Sequence, residues 1–127
     1  MSISKYHVSK NLLYEKLEGY NLAPNGGMTS TPDYDLWFAA VTAGETYAAQ
    51  NVSGTYGFYN AKPQEWDVTY DGERHLFSGT QPAITIPEGV TYIGIRATSS
   101  ATNVMLNKGS TVLPYEPYYV PYWEDMP

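Results

Sequence analysis

Apolar and polar residues alternate with a period of two along most of this chain, in short runs that end at Gly, Pro, Asn or Asp. The clearest run covers residues 90–98. Three apolar side chains share the face that we expect to point into a core: Ile93, Ile95 and Ala97. Tyr92 and Arg96 lie on the other face, so this run predicts a strand with one buried and one solvated side.

The run 35–41 alternates in the same way. It places Leu36, Phe38 and Ala40 on the face that we expect to point inward, and it turns Trp37 to the opposite face. Besides ordinary core packing, two roles stay open for Trp37: a place in a second-face cluster, or a contact with another subunit.

Shorter runs of strand-forming residues follow the same pattern: 46–52, 55–60, 83–86 and 104–106. The polar stretch 64–79, with Asp71-Gly72 near its middle, predicts either a strand pair or a long exposed loop. Residues 10–17 have the composition for a helical turn or two, which Gly19 would end. About seven to nine short strands at this spacing predict an all-β fold, a jelly-roll-like antiparallel β-sandwich.

Composition strengthens the all-β prediction. The 127 residues include 13 Tyr, 11 Gly and 9 Pro, and charged residues make up 16%. Tyr, Thr and Val favour pleated sheet, and Gly and Pro favour turns. The length suits one domain. We expect an N-terminal arm over 1–9, the sandwich over 10–118 and a C-terminal arm over 119–127.

The net charge and the scarcity of Cys and His exclude several classes of function. Thirteen acidic and seven basic residues give a net charge of −6, and this field repels nucleic-acid phosphates. The absence of Cys excludes disulfides and thiolate chemistry, and two His argue against a His-rich metal centre. The segment MSISKYHVSK lacks the apolar core of a signal peptide, and no run reaches the ~18 apolar residues of a spanning helix. We therefore expect no nucleic acid, no membrane insertion and no cofactor.

Several short motifs resemble a pattern common in phage baseplate and tail proteins: Asn11-Leu12-Leu13, Gly19-Tyr20, Asn25-Gly26, Ala43-Gly44-Glu45-Thr46-Tyr47, Gly57-Phe58-Tyr59, Ile86-Pro87-Glu88-Gly89 and Tyr92-Ile93. The most specific run closes the pattern, with Val104–Thr111 followed by Leu113–Tyr118. Residues 11–118 together resemble the carbohydrate-binding-type β-sandwich modules of tail and baseplate (receptor-binding) proteins in phages of Gram-positive bacteria.

The resemblance implies a non-enzymatic structural protein of a phage virion. It implies a module that is exposed on the tail, baseplate or capsid surface, is made in the host cytoplasm and adheres to host cell-wall saccharide. The alternative is a capsid or tail decoration or fibre subunit that binds only other virion proteins.

Saccharide binding requires aromatic faces beside planar polar groups. The stretch 59–75 supplies both, and we expect the sugar site there: Tyr59, Trp66, Asp67, Tyr70 and Arg74. The competing interpretation is that Trp66 and Tyr70 pack over the sheet edge as ordinary aromatic residues.

Two pairs of carboxylates raise the question of glycoside hydrolysis. Glu65 and Asp67 share a strand face, as do Asp33 and Asp35. Glycoside hydrolysis requires two carboxylates across a cleft, and i, i+2 spacing alone does not indicate one. His75 has no Ser or Cys partner in a nucleophile motif. We predict no catalytic residue.

Three acidic residues raise the alternative of a bound calcium ion. Asp67, Asp71 and Glu73 offer the hard oxygen ligands that Ca²⁺ prefers. They lack the residue order of an EF-hand loop, so we predict no metal site.

The last fourteen residues, 114–127, have an unusual density of aromatic residues. Pro117 and Pro121 stiffen their backbone, which lowers the entropy lost on docking. We expect the Pro-Tyr-Glu-Pro-Tyr portion to fold back onto the sandwich and the rest to contact other subunits in a homo-oligomer, with a trimer as our guess. The predicted assembly residues are Tyr118, Tyr119, Tyr122 and Trp123.

Overall fold

The structure is a computed structural model and describes residues 3–64, 67–77 and 83–126. These residues form ten β-strands and no helix: β1 (Ile3–His7), β2 (Glu15–Leu22), β3 (Met28–Ala40), β4 (Thr46–Gln50), β5 (Thr55–Tyr59), β6 (His75–Leu76), β7 (Ala83–Thr85), β8 (Tyr92–Thr98), β9 (Met105–Lys108) and β10 (Tyr122–Met126). The predicted all-β fold is confirmed. The helical turn predicted over 10–17 is wrong, because Leu17 belongs to β2 and pairs with Leu36 of β3. Within the same ranges no helix is long and apolar enough to cross a membrane.

Two antiparallel sheets form the sandwich. The larger sheet has the strand order β2-β3-β8-β5-β6, and the smaller has the order β7-β4-β9. From β3 onward the chain crosses repeatedly between the sheets: β3, β5, β6 and β8 lie in the larger one, and β4, β7 and β9 in the smaller. Such crossing between facing sheets is typical of the predicted jelly-roll-like sandwich.

The main core lies between the two sheets. Ile93, Ile95 and Ala97 of β8 point into it and are fully buried. The smaller sheet contributes four further buried side chains: Tyr47, Ala49, Ile84 and Leu106. The inward face predicted for β8 is therefore confirmed.

A second cluster covers the opposite face of the larger sheet, here called the outer face. Leu36 and Phe38 lie there, since their cross-strand partners on β8 are Arg96 and Gly94. They pack with Leu22, and with Tyr59 of β5. The prediction that Leu36 and Phe38 point into the sandwich is wrong, because both faces of β3 are covered and alternation cannot distinguish them.

The segment 109–118, here called the closing segment, folds back over the smaller sheet. The prediction covered only its Pro-Tyr-Glu-Pro-Tyr portion, 114–118. Gln50 Nε2 donates to the carbonyl of Leu113 at 2.9 Å, and the Ser9 hydroxyl donates to the carbonyl of Pro117 at the same distance. The backbone amide of Glu116 lies 3.3 Å from Met105 Sδ. These contacts attach the closing segment to β4, to β9 and to Ser9 in the segment before β2.

The two chain ends form a separate antiparallel ribbon. β1 pairs only with β10, and Ile3 stands opposite Met126. Tyr122 and Trp123 are exposed on this ribbon, and Tyr119 packs against Tyr122 with a centroid separation of 5.6 Å. The two predicted arms thus pair with each other within one chain.

Candidate functional site

Tyr59, one of the five residues of the predicted sugar site, lies in the outer-face cluster. Its side chain is 3% exposed, and its hydroxyl has no hydrogen-bond partner among the described residues. Burial raises the pKa of this hydroxyl far above its usual value, and the nearby Asp67 adds to the effect. Tyr59 is therefore a core residue and cannot present its ring to a sugar, which corrects the prediction.

The other predicted sugar residues lie on the loop that crosses the outer face. Asp67 accepts a hydrogen bond from the amide of Gln64 at 2.8 Å, and Arg74 donates to the carbonyl of Leu22 at 3.0 Å. Tyr70 is half exposed, with its hydroxyl beside Gly89. Trp66 lies outside the described residues. Asp67 and Arg74 thus hold the loop in place, and Tyr70 presents part of its ring to solvent.

Three polar side chains cluster further along the same loop. His75 Nε2 is 2.6 Å from Asp71 Oδ2 and 3.8 Å from Glu73 Oε1, and the His75 ring stacks on Tyr56 with a centroid separation of 5.4 Å. These three groups differ from the set weighed as an alternative for calcium, because His75 takes the place of Asp67, which accepts a hydrogen bond from Gln64 instead.

A different surface combines aromatic and polar groups. We call it the aromatic cleft: a cavity of about 490 Å³ bounded by Tyr14, Trp37, Tyr115 and Tyr118. Four polar residues also line it: Asn11, Glu15, Lys16 and Asn103. The Asn11 side chain is buried and hydrogen-bonds to backbone groups, which leaves the other three for a ligand. Aromatic rings bordered by amide and charged groups are the arrangement that saccharide recognition requires.

Trp37 forms one wall of the aromatic cleft. It lies on the inner face of β3, opposite Ile95, and is partly buried against the main core. Lys16 Nζ stands 5.2 Å from the centroid of the Trp37 ring, where a cation is attracted by the ring's electrons. Trp37 thus has both a buried part and a part that faces the cleft.

Tyrosines form the facing wall. Tyr115 and Tyr118 are 42% and 43% exposed, and the Tyr118 ring lies 6.4 Å from the ring of Tyr14. Burial, followed by the negative charge of Glu15, raises the pKa of the Tyr14 hydroxyl. Tyr14 is therefore neutral at pH 7 and can donate a hydrogen bond to a ligand hydroxyl.

The cleft brings together parts of the chain that are distant in sequence. The segment before β2 supplies Tyr14, β3 supplies Trp37, and the closing segment supplies Tyr115 and Tyr118. The sequence signals were Trp37, predicted on the face of its strand opposite Leu36 and Phe38, and the Pro-Tyr-Glu-Pro-Tyr motif. The structure keeps that opposition but places Trp37 on the inner face, so its predicted direction was wrong. The pairing of the two could not be predicted from either alone.

Among the described lining residues of the aromatic cleft, Glu15 supplies the single carboxylate, whereas glycoside hydrolysis uses two.

Comparison with protein-family models, with curated proteins and with solved structures finds no match for this chain.

Proposed function

We propose that this protein is a non-enzymatic, carbohydrate-binding-like β-sandwich module of a phage virion that adheres to host-surface saccharide through the aromatic cleft. The observation that carries the proposal is the meeting of Trp37 with Tyr115 and Tyr118 around one cavity. Such rings offer flat apolar faces to the C–H surfaces of a sugar, and the polar lining can satisfy its hydroxyls.

The resemblance adds independent support. Its most specific run, Val104–Thr111 followed by Leu113–Tyr118, is the segment that folds over the smaller sheet and supplies one wall of the cleft. The run that resembles carbohydrate-binding-type modules thus supplies part of the cavity whose lining suits a saccharide.

Titration with purified host cell-wall saccharide, followed by calorimetry, tests this proposal. Tyr115→Ala and Tyr118→Ala each remove a half-exposed ring, and we expect the Kd to rise about 3- to 10-fold for each. Tyr70→Ala is the matched control, since its ring is similarly exposed but lies outside the cleft. Parent-like binding by both cleft variants, or a loss confined to Tyr70→Ala, would contradict the assignment.

The alternative function is a capsid or tail decoration or fibre subunit that binds only other virion proteins. The terminal ribbon favours it, because Tyr122 and Trp123 are exposed there as predicted for an assembly surface. Incorporation of the chain into particles, with no binding to any host saccharide on a glycan array, would select this alternative.

A further inference from the structure

Two carboxylates and an imidazole converge on one point where the outer-face loop leads into β6. The carboxylate oxygens of Asp71 and Glu73 and the ring nitrogen of His75 all lie within 4.8 Å of one another, and the described residues contain no second group of this kind. His75 Nε2 lies between the other two atoms, 2.6 Å from Asp71 Oδ2 and 3.8 Å from Glu73 Oε1. Ligand atoms that are each about 2.0–2.2 Å from one zinc ion stand about 3–3.5 Å apart, so side-chain shifts of about 1 Å bring these three into one coordination sphere.

The surrounding structure orients each of the three side chains. The Thr69 hydroxyl donates to the carbonyl of Glu73 at 2.8 Å, which fixes the backbone between the two carboxylates. The amide of Glu73 donates to Asp71 Oδ1 at 3.3 Å and leaves Oδ2 directed at the imidazole. The His75 ring is stacked on Tyr56, with an angle of 19° between the ring planes. Because the ligand atoms are already brought together, an ion that binds them loses little free energy to ordering.

The charges of this cluster are not balanced by the protein. Neither Asp71 nor Glu73 forms an ion pair with a Lys or Arg among the described residues, and both depend on the single imidazole of His75. Arg74 lies between them in sequence, but its guanidinium donates to the carbonyl of Leu22. Two carboxylates around a neutral imidazole carry a charge of −2, in a chain whose net charge is −6. A divalent cation supplies the charge that this cluster lacks.

We propose that Asp71, Glu73 and His75 bind one Zn²⁺ ion through Oδ2, Oε1 and Nε2. The imidazole nitrogen favours a transition-metal ion, whereas Ca²⁺ takes six to eight oxygen ligands and Mg²⁺ binds through oxygen. Three protein ligands and a water molecule complete the tetrahedral sphere that zinc prefers. The three carboxylates considered in the sequence analysis lacked this imidazole, which the fold adds. None of the three ligands lines the aromatic cleft, so the inference holds whether or not saccharide binds there.

Calorimetric titration of the full chain with zinc chloride at pH 7 tests the site. We expect one ion per chain with a Kd below about 100 μM, and binding of calcium or magnesium at least about 100-fold weaker. Asp71→Asn and Glu73→Gln each exchange a carboxylate for an amide of the same shape, and each should raise the Kd for Zn²⁺ about 10-fold or more. Asp71→Asn retains a carbonyl oxygen for the amide of Glu73, so the loop keeps its hydrogen bond.

The other imidazole of the chain provides a matched control. His7 Nε2 also lies 2.6 Å from a carboxylate oxygen, that of Glu124, but among the described residues no second carboxylate completes a group of three there. His7→Gln should therefore bind Zn²⁺ as the parent chain does. In NMR spectra of the parent, one equivalent of Zn²⁺ should shift the ring signals of His75 and leave those of His7 in place, which identifies the ligand without any substitution.

Four results would each overturn the proposal. They are the absence of Zn²⁺ binding up to about 1 mM, parent-like affinity in both carboxylate variants, a loss of binding in His7→Gln, and binding of Ca²⁺ as tight as that of Zn²⁺.

Discussion

The side-chain carbonyl of Asn107 accepts a hydrogen bond from the backbone amide of Leu113, 3.2 Å away. The amide nitrogen of the same side chain donates to the carbonyls of Lys108 and Thr111 at 3.1 and 3.0 Å. Asn107 is 1% exposed, and the three bonds are partly buried. They close the turn that directs Tyr115 and Tyr118 toward the aromatic cleft.

Asn107→Ala should therefore lower the free energy of unfolding by about 2–3 kcal/mol, because buried backbone groups lose their partners. It should also weaken saccharide binding, since the closing segment is no longer held. Chemical denaturation and calorimetry measure the two effects. Asn60→Ala, at an exposed asparagine, is the control and should stay within about 0.5 kcal/mol of the parent.

Gly94→Ala tests the outer-face cluster. A Cβ at this position would come within 2.8 Å of Phe38 and 3.0 Å of Tyr59, whose rings pack edge to face. We expect a loss of about 1–3 kcal/mol in the free energy of unfolding, as in other overpacked cores.

A compensating change makes this prediction sharper. Phe38→Leu removes the closest ring, so Gly94→Ala should cost less in that background than in the parent. Gly27→Ala, where only the side chain of Asn25 is near, is the control. Equal unfolding midpoints for Gly94→Ala and the parent would show that the cluster is not packed as described.

Tyr59 should make the free energy of unfolding fall as the pH rises above about 10. Its pKa is raised in the folded state by burial, so above about pH 10 the unfolded chain loses the proton while the folded chain retains it. The contribution to stability is complete below this pH, and the free energy of unfolding then falls by about 1.4 kcal/mol per pH unit until the folded-state pKa is reached.

Tyr59→Phe should flatten this alkaline decline and leave stability at pH 7 unchanged or higher, because the buried hydroxyl lacks a partner among the described residues. Urea denaturation between pH 8 and about pH 11 measures the slope. Tyr70→Phe, at a half-exposed ring, controls for the loss of one tyrosine. A slope that is unchanged in Tyr59→Phe would contradict the prediction.

Deletion of residues 120–127 should leave the sandwich folded. β10 pairs only with β1, and neither core cluster contains a residue beyond Leu106. We expect a β-type circular dichroism spectrum and a change in the free energy of unfolding below about 1 kcal/mol. Loss of cooperative unfolding would show that the ribbon supports the sandwich.

Local patterns predicted the strands whose two faces differ in polarity. The face of β8 that carries Ile93 and Ile95 was predicted correctly because Tyr92 and Arg96 mark the opposite face. Strand β3 was harder, because Leu36 and Phe38 on one face and Trp37 and Ala39 on the other all find apolar neighbours. A period of two identifies the faces but not which of them lies between the sheets.

Long-range pairing limited the prediction of the site. Aromatic density marked the stretch 59–75, yet Tyr59 is covered by Phe38 and Leu22 from distant strands. Trp37 and Tyr118 meet only because the closing segment crosses the smaller sheet, which depends on single hydrogen bonds such as that of Gln50 to Leu113. Alternation describes neighbours within a strand and contains no information about such crossings.

The opposition of Ile3 and Met126 has a consequence for the order of folding. Closing a loop that contains nearly the whole chain costs more entropy than forming any hairpin within it, and non-local pairings form slowly. Once the sandwich is built, its structure holds the two ends near each other and most of that entropy has already been lost. We therefore expect the ribbon to be the last element to form, so an incompletely folded chain lacks the paired surface that carries Tyr122 and Trp123.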